Sequence, residues 1–174
     1  YLAKHNHWTP FGHCSAQFHM KAPIFVARQL GKHQVGLVWN EVSRRYVSDD
    51  PEMWVPEEWR KASEDKKQGS SDELVMSQQL VGGKYKDAIW ECFQVYKSLL
   101  DLKVCEEQAR AVLPQSTMTE WYWSGSIAAF ARVCKLRLAE DTQLETRIIA
   151  QEMNSLLKKQ FPISWNALIN QQEV

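Results

Sequence analysis

The chain has 174 residues, 44% of them hydrophobic and 24% charged, which suits a globular protein with one core of ordinary size. Lys plus Arg (21) equals Asp plus Glu (21), and that balance argues against a general nucleic-acid binder, which needs a basic excess to neutralise phosphates. No apolar run approaches the ~18 residues of a membrane span, and the polar opening YLAKHNHW is no signal peptide. Cys14, Cys92, Cys105 and Cys134 are scattered without a CxxC pair, so they read as reduced thiols of a cytoplasmic protein. Eight Trp point to aromatic surface in a core, an interface or a pocket for a flat ligand.

In chain order, residues 13–20 alternate with period two, which predicts a half-buried strand with Cys14, Phe18 and Met20 on its apolar side. Pro23 then opens a helix carrying Ile24, Phe25, Ala27 and Leu30, fraying near Gly31. Residues 42–47 read as a short strand or extended segment. The stretch 48–82 is the least regular, with a short helix expected in PEEWRKASEDKK. An apolar stripe from Tyr85 to Leu100 marks a helix over 84–103, and CEEQARAV a shorter one ending before Pro114. Residues 117–138 are apolar on almost every side and predict a central helix, or one sandwiched between subunits. Asp141 is the expected N-cap of the last long helix, in which Leu144, Ile148, Met153 and Leu157 recur before Phe161-Pro162. The class is α+β with helix dominant.

A metal site is not expected. His13 and His19 share a strand's polar face, but six residues at ~3.3 Å each is too far for one ion, and no acid or Cys completes a set. The Gly82-Gly83 pair lacks the rest of any phosphate-cradling loop. A Cys nucleophile needs an adjacent base, and Cys14 and Cys134 sit on apolar faces instead. The basic cluster of Arg28, Lys32, His33, Arg44 and Arg45 is more informative. Scattered solvated charge is one reading of it. The other is a pocket for a nucleotide-sized anion, with Arg28 and Lys32 at i,i+4 on a helix and Ser43 and Arg45 on one side of the following segment.

The block from His7 to Tyr46 closely resembles the flavin-dependent thymidylate synthases. It carries His7, Thr9, Pro10, Phe11 and His13, then Lys21 to Gln29, then Lys32-His33-Gln34 in the place of the family's Arg-His-Arg, then Asn40, Glu41, Ser43, Arg45 and Tyr46. Further on, ARAVLP, TEWYW and KLRLAEDTQLETR look like the family's C-terminal helices. The resemblance implies the family's fold, a central antiparallel sheet with long helices, as a single domain over residues 1–174 that lacks the family's N-terminal portion. It implies reductive methylation of dUMP to dTMP, with methylene-tetrahydrofolate giving the carbon and FAD, reduced by NADPH, giving the hydride. It also implies a homotetramer with active sites shared between chains, and no nucleic acid or membrane among its partners.

Carried over by residue, Gln29, Lys32, Glu41, Val42, Ser43, Arg44 and Arg45 would contact dUMP, with Arg45 and Arg110 on its phosphate. Arg137 would be the catalytic group, a permanently charged guanidinium against the uracil edge. Thr9, Lys32, His33, Gln34, Asn40, Glu41, Ser126 and Arg132 would face FAD, and His7 and Tyr46 the folate or nicotinamide side. The chain departs from the family at Lys32 and Gln34, which replace arginines, and at Ser126 and Ala128, where the family offers Asn and Arg. One extra residue stands between the triplet and Ser43, so either the loop bulges or the triplet shifts register. Hydroxymethyl transfer, a dCMP-specific relative and a flavin-free helical scaffold are the competing expectations.

Overall fold

The computed structural model describes residues 1–47, 49–63 and 70–170. Its first long element is strand β1 (Ser15–Pro23), after a single helical turn α1 (Thr9–Gly12). The alternation seen in the sequence is real. Phe18, Met20 and Ala22 turn inward while Gln17, His19 and Lys21 face out. Cys14 precedes the strand and is exposed, so its expected apolar setting is corrected. Helix α2 (Ile24–Leu30) follows directly, because Pro23 fixes the backbone of the turn into it, and it buries Val26, Ala27 and Leu30. Lys32 lies beyond its end, so Arg28 and Lys32 are not a helical pair.

Strand β2 (Leu37–Glu41) and strand β5 (Met118–Ser126) complete a three-stranded antiparallel sheet in the order β1, β5, β2. Phe18, Trp123 and Trp39 are in register across it, as are His19, Tyr122 and Asn40 on the opposite face. A short hairpin of β3 (Arg60–Ala62) and β4 (Ser70–Leu74) lies outside this sheet. It replaces the helix expected in PEEWRKASEDKK, of which residues 64–69 lie outside the described residues.

The long helix α3 (Gln78–Asp101) is present, but only its Tyr96 is buried, and Trp90, off the predicted stripe, is 62% exposed. The short helix α4 (Glu106–Ala109) runs into a 3-10 turn at Arg110–Val112. The helix expected over 117–138 is overturned in its first half, which is β5. MTEWYWSGS is aromatic and β-branched, with Trp121 and Trp123 in and Tyr122 out, a period of two that an apolar count alone hides. Ser126 then caps helix α5 (Ile127–Arg137), its Oγ accepting from Ala129 N at 3.2 Å.

Helix α5 is the centre of the molecule. Seven of its eleven residues are buried, and it packs on α1, α6 (Leu144–Gln160) and α7 (Pro162–Ile169). Asp141 is not the cap of α6. Gln143 holds that position, without a side-chain bond. Trp123 and Phe130 meet edge to face at 5.4 Å, and Phe18 meets Phe130 at 5.0 Å, which locks α5 to the sheet. Among the described residues, no helix is long and apolar enough to cross a membrane.

Candidate functional site

Two clefts meet at the C-terminal end of α2. The first, of about 720 Å³, has Trp39 and Trp123 among its walls, Arg28 in the last turn of α2, and Lys32, His33 and Gln34 along the turn that follows. The second, of about 610 Å³, lies between that turn, the β3–β4 hairpin and the start of α6, and takes in Arg60, Arg137 and Gln143. Gln29 and Lys32 line both clefts.

The turn between α2 and β2 is held closely. His33 N donates to Leu30 O at 3.0 Å, and Arg132 Nη2 donates to Val35 O at 2.7 Å. Gly36 adopts φ +75°, and a Cβ there would stand 3.2 Å from the Ala129 Cβ. Strand β2 pairs with β5 without a register break from Leu37 to Glu41, so the strand itself carries no bulge. At the other side, Arg137 Nε donates to His33 Nε2 at 3.0 Å and its Nη2 donates to Gln29 O at 3.3 Å. The Gln29 amide is itself engaged by α6, donating to Gln143 Oε1 and accepting from Thr146 Oγ1. Arg60 is fixed by Ser70 and by an ion pair with Glu145 at 2.7 Å.

The electrostatics follow from this packing. Burial, reinforced by the charges of Arg137 and Arg132, lowers the His33 pKa below its ordinary 6.5. Burial also lowers Arg137 from its usual value, though a guanidinium remains protonated. For Glu145, burial pushes upward, but the hydrogen bond from Arg60 and its charge outweigh it and leave the carboxyl low. The clefts therefore present positive side chains at Arg28, Lys32 and Arg137, with aromatic walls in the first, while the charge of Arg60 is balanced by Glu145. None of the four cysteines lines either cleft, and burial pushes the Cys134 thiol up to about 12, which makes it a poor nucleophile.

Gln29, Lys32, His33, Gln34, Glu41 and Arg137 are thus brought together as expected. Others are not. Asn40 faces away from Trp39 and Glu41 because a strand alternates its sides, so it stands opposite the first cleft. Ser43, Arg44, Arg45 and Tyr46 form a turn rather than a strand, and they bond among their own neighbours. Arg45 Nε donates to Ser43 Oγ at 3.1 Å, Arg45 sits 5.2 Å from the Tyr46 ring centre, and Arg44 donates to Asp49 O. Val42 is 56% exposed beside them. Arg110 donates to Glu107 O on the 3-10 turn, and His7 and Thr9 lie at α1, outside both clefts. Ser126 is engaged as a helix cap, and Arg132 holds the turn rather than lining its cleft. No group of three His, Cys, Asp or Glu that could hold a metal ion occurs among the described residues.

The sequence reading missed Trp39, Trp123, Arg60, Gln143 and Thr146. The first two were hidden by the mistaken helix or read as part of a resemblance. Arg60 had no local signal, since it is a lone cation in an irregular stretch. Trp39 stacks on Trp121 at 4.3 Å and meets Trp123 at 5.6 Å, and the buried Trp123 Nε1 has no partner. An aromatic wall with a buried donor, rimmed by Arg28 and Lys32, fits a planar, anionic cofactor such as a flavin nucleotide.

Comparison with known proteins agrees with this chemistry. The family model described as "Thymidylate synthase complementing protein" matches residues 1–163. The flavin-dependent thymidylate synthase of Thermus thermophilus is 37% identical over 167 residues, covering 96% of this chain and 61% of that protein. The chain thus spans about three-fifths of the length of this relative. The flavin-dependent thymidylate synthase of Thermosipho africanus is 35% identical over 170 residues, covering 97% of this chain and 74% of the relative. Among solved structures, the UMP/dUMP methylase PolB from Streptomyces cacaoi, bound with 5-Br UMP, superposes with a TM-score of 0.88. It is 28% identical, with 97% of this chain and 80% of that one covered. A match over nearly the whole chain, on the fold and clefts described above, places this protein in the flavin-dependent thymidylate synthase family.

Proposed function

We propose that this chain is a cytoplasmic FAD-dependent methyltransferase that converts dUMP to dTMP, using methylene-tetrahydrofolate as carbon donor and NADPH as reductant. The observation that carries the reading is the meeting of two clefts at Gln29 and Lys32, one walled by Trp39 and Trp123, the other holding Arg137. When bound, the flavin supplies the hydride that no side chain of the protein can supply. Lys32 and Arg28 would balance its phosphates, and Trp39 and Trp123 would keep water from the apolar side of the cleft. Arg137 meets the uracil edge and stabilises negative charge as the ring is activated, in a setting without a Cys nucleophile.

The turn carrying Ser43, Arg44 and Arg45 does not line these clefts in a single chain. A homotetramer with shared sites accounts for this, one chain offering Arg45 and Arg110 to the phosphate of a nucleotide seated on another. The outward apolar side of α3, with Leu80, Trp90 and Val95 exposed, supports such an assembly. The solved relative is named for both UMP and dUMP, so the ribonucleotide belongs in the same test. The test is a product assay with labelled dUMP, UMP or dCMP, methylene-tetrahydrofolate and NADPH, with and without added FAD. Labelled dTMP formed only with FAD is the expected outcome. A hydroxymethylated product, or turnover of dCMP alone, replaces the reading, and a protein that neither binds flavin nor turns over any nucleotide is a scaffold.

A further inference from the structure

Arg137 is gripped along one side. Its Nε and Nη2 nitrogens, which form one edge of the planar guanidinium, donate to His33 Nε2 and to Gln29 O. Nη1 makes no bond among the described residues, so the end of the fork is the part open to the second cleft. Both anchors are themselves held by further bonds. Gln29 is tied through its amide to Gln143 and the fully buried Thr146 of α6, and His33 sits in the turn clamped by Leu30 O and Arg132. Three helices, α2, α5 and α6, thus converge on the orientation of one side chain.

We propose that His33 is a positioning residue, which through the bond to Arg137 Nε decides which edge of the guanidinium the nucleotide meets. The proposal rests on the reading of Arg137 as the group that meets the pyrimidine. Chemistry supports the direction of the bond. A guanidinium has no acceptor, so His33 Nε2 must be the unprotonated nitrogen and the ring must be neutral, with its proton on Nδ1. Burial, with Arg137 and Arg132 nearby, keeps it neutral at ordinary pH. The other charged groups lining its cleft are Arg28, Lys32 and Glu41, and the Glu41 carboxylate is already engaged by Thr119 and Trp39. On acidification an acceptor becomes a cation beside Arg137, and the edge is released.

Two measurements on the full chain test this. Without nucleotide, the Arg137 Nε–H resonance, identified by its loss in Arg137→Lys, should move in His33→Phe and on lowering the pH through the His33 titration. A resonance indifferent to both changes overturns the proposal. With nucleotide, dUMP is titrated calorimetrically from pH 8 to 5.5 into wild type, His33→Gln and His33→Phe, with FAD binding followed alongside by fluorescence. Gln keeps an acceptor and cannot gain a proton. It should bind dUMP within about threefold of wild type at pH 8 and lack the extra acid loss shown by wild type. The phosphate's own ionisation is common to all three proteins and cancels in this difference. Phe should bind about tenfold more weakly at pH 8. Equal affinities and parallel pH profiles overturn the proposal while leaving the dUMP reading intact, as does weakened FAD binding with unchanged dUMP profiles. Absence of dUMP binding by wild type overturns the functional reading, and the proposal with it.

Discussion

The two halves of the expected nucleotide site differ in what holds them. Around Arg137, each functional side chain is fixed by a second one: His33 and Gln29 hold Arg137, Thr146 and Gln143 hold Gln29, and Arg132 holds the turn. Around Arg45, the partners are Ser43 and Tyr46, neighbours along the same exposed turn. The first arrangement is preorganised by tertiary structure and needs no ligand to form. The second is local, made by neighbours along the chain with no tertiary partner holding Arg45 among the described residues. The two arginines thus stand in different settings, Arg137 inside a packed frame and Arg45 on an exposed turn.

That contrast sets the order of expected effects. Trp123→Ala strikes the frame, since the indole is fully buried and touches Trp39 and Phe130, so it should destabilise the fold by about 3–5 kcal/mol in chemical denaturation. A loss under about 1 kcal/mol would mean that the first cleft is not part of the core. Arg45→Ala should do the reverse. Its stability should stay within about 0.5 kcal/mol of wild type, while dUMP affinity drops roughly 10- to 150-fold as a charge-assisted phosphate contact is lost. Calorimetry showing unchanged dUMP affinity would remove the exposed turn from the site altogether.

Gly36→Ala tests the junction of the two regions. A positive φ and the Ala129 Cβ at 3.2 Å should together make this substitution destabilising by roughly 1–2 kcal/mol, read as a lower melting temperature. The smallest effect concerns pH. His33 titrates below 6.5 in the fold, so the unfolded chain takes up the proton first as the pH falls. Its contribution is present in full above pH 6.5 and is lost as the pH drops toward the lower folded value. Wild type should therefore lose more melting temperature between pH 7.5 and 5.5 than His33→Gln does. Identical slopes in the two proteins would show that the imidazole is as solvated folded as unfolded.

How much of this was legible in the sequence depends on the range of the interactions involved. The strand before Pro23 and the helix after it were readable, because alternation and a proline act within a few residues. Of the cleft residues, Lys32 and His33 stood out in the local basic cluster, whereas Gln34 and Arg137 were named only through the family resemblance. The partition of 117–138 was misread because a buried strand and a buried helix are both apolar throughout, and the deciding clue, Ser126 as a cap, lay inside the run. Arg60 and Thr146 were out of reach, since their roles depend on Glu145 and Gln29, contacts made only once the chain has folded. The exposure of Arg45 was equally invisible, because cations look the same in sequence whether or not anything packs over them.

The order of the sheet has a consequence for how the chain reaches this structure. Strands β1 and β2 are early in the chain and lie on either side of β5, which binds both. Gln17 and Ser124, joined across β1 and β5, are 107 positions apart. During synthesis, then, the two outer strands wait with unpaired edges until the middle one emerges, and the first cleft has no Trp123 wall before that moment. Closing so long a loop is slow relative to local helix formation, so α2 and α3 are free to form first and sheet assembly should govern the folding rate. The last strand to arrive also brings Trp123, so the wall of the first cleft is completed only when the sheet closes.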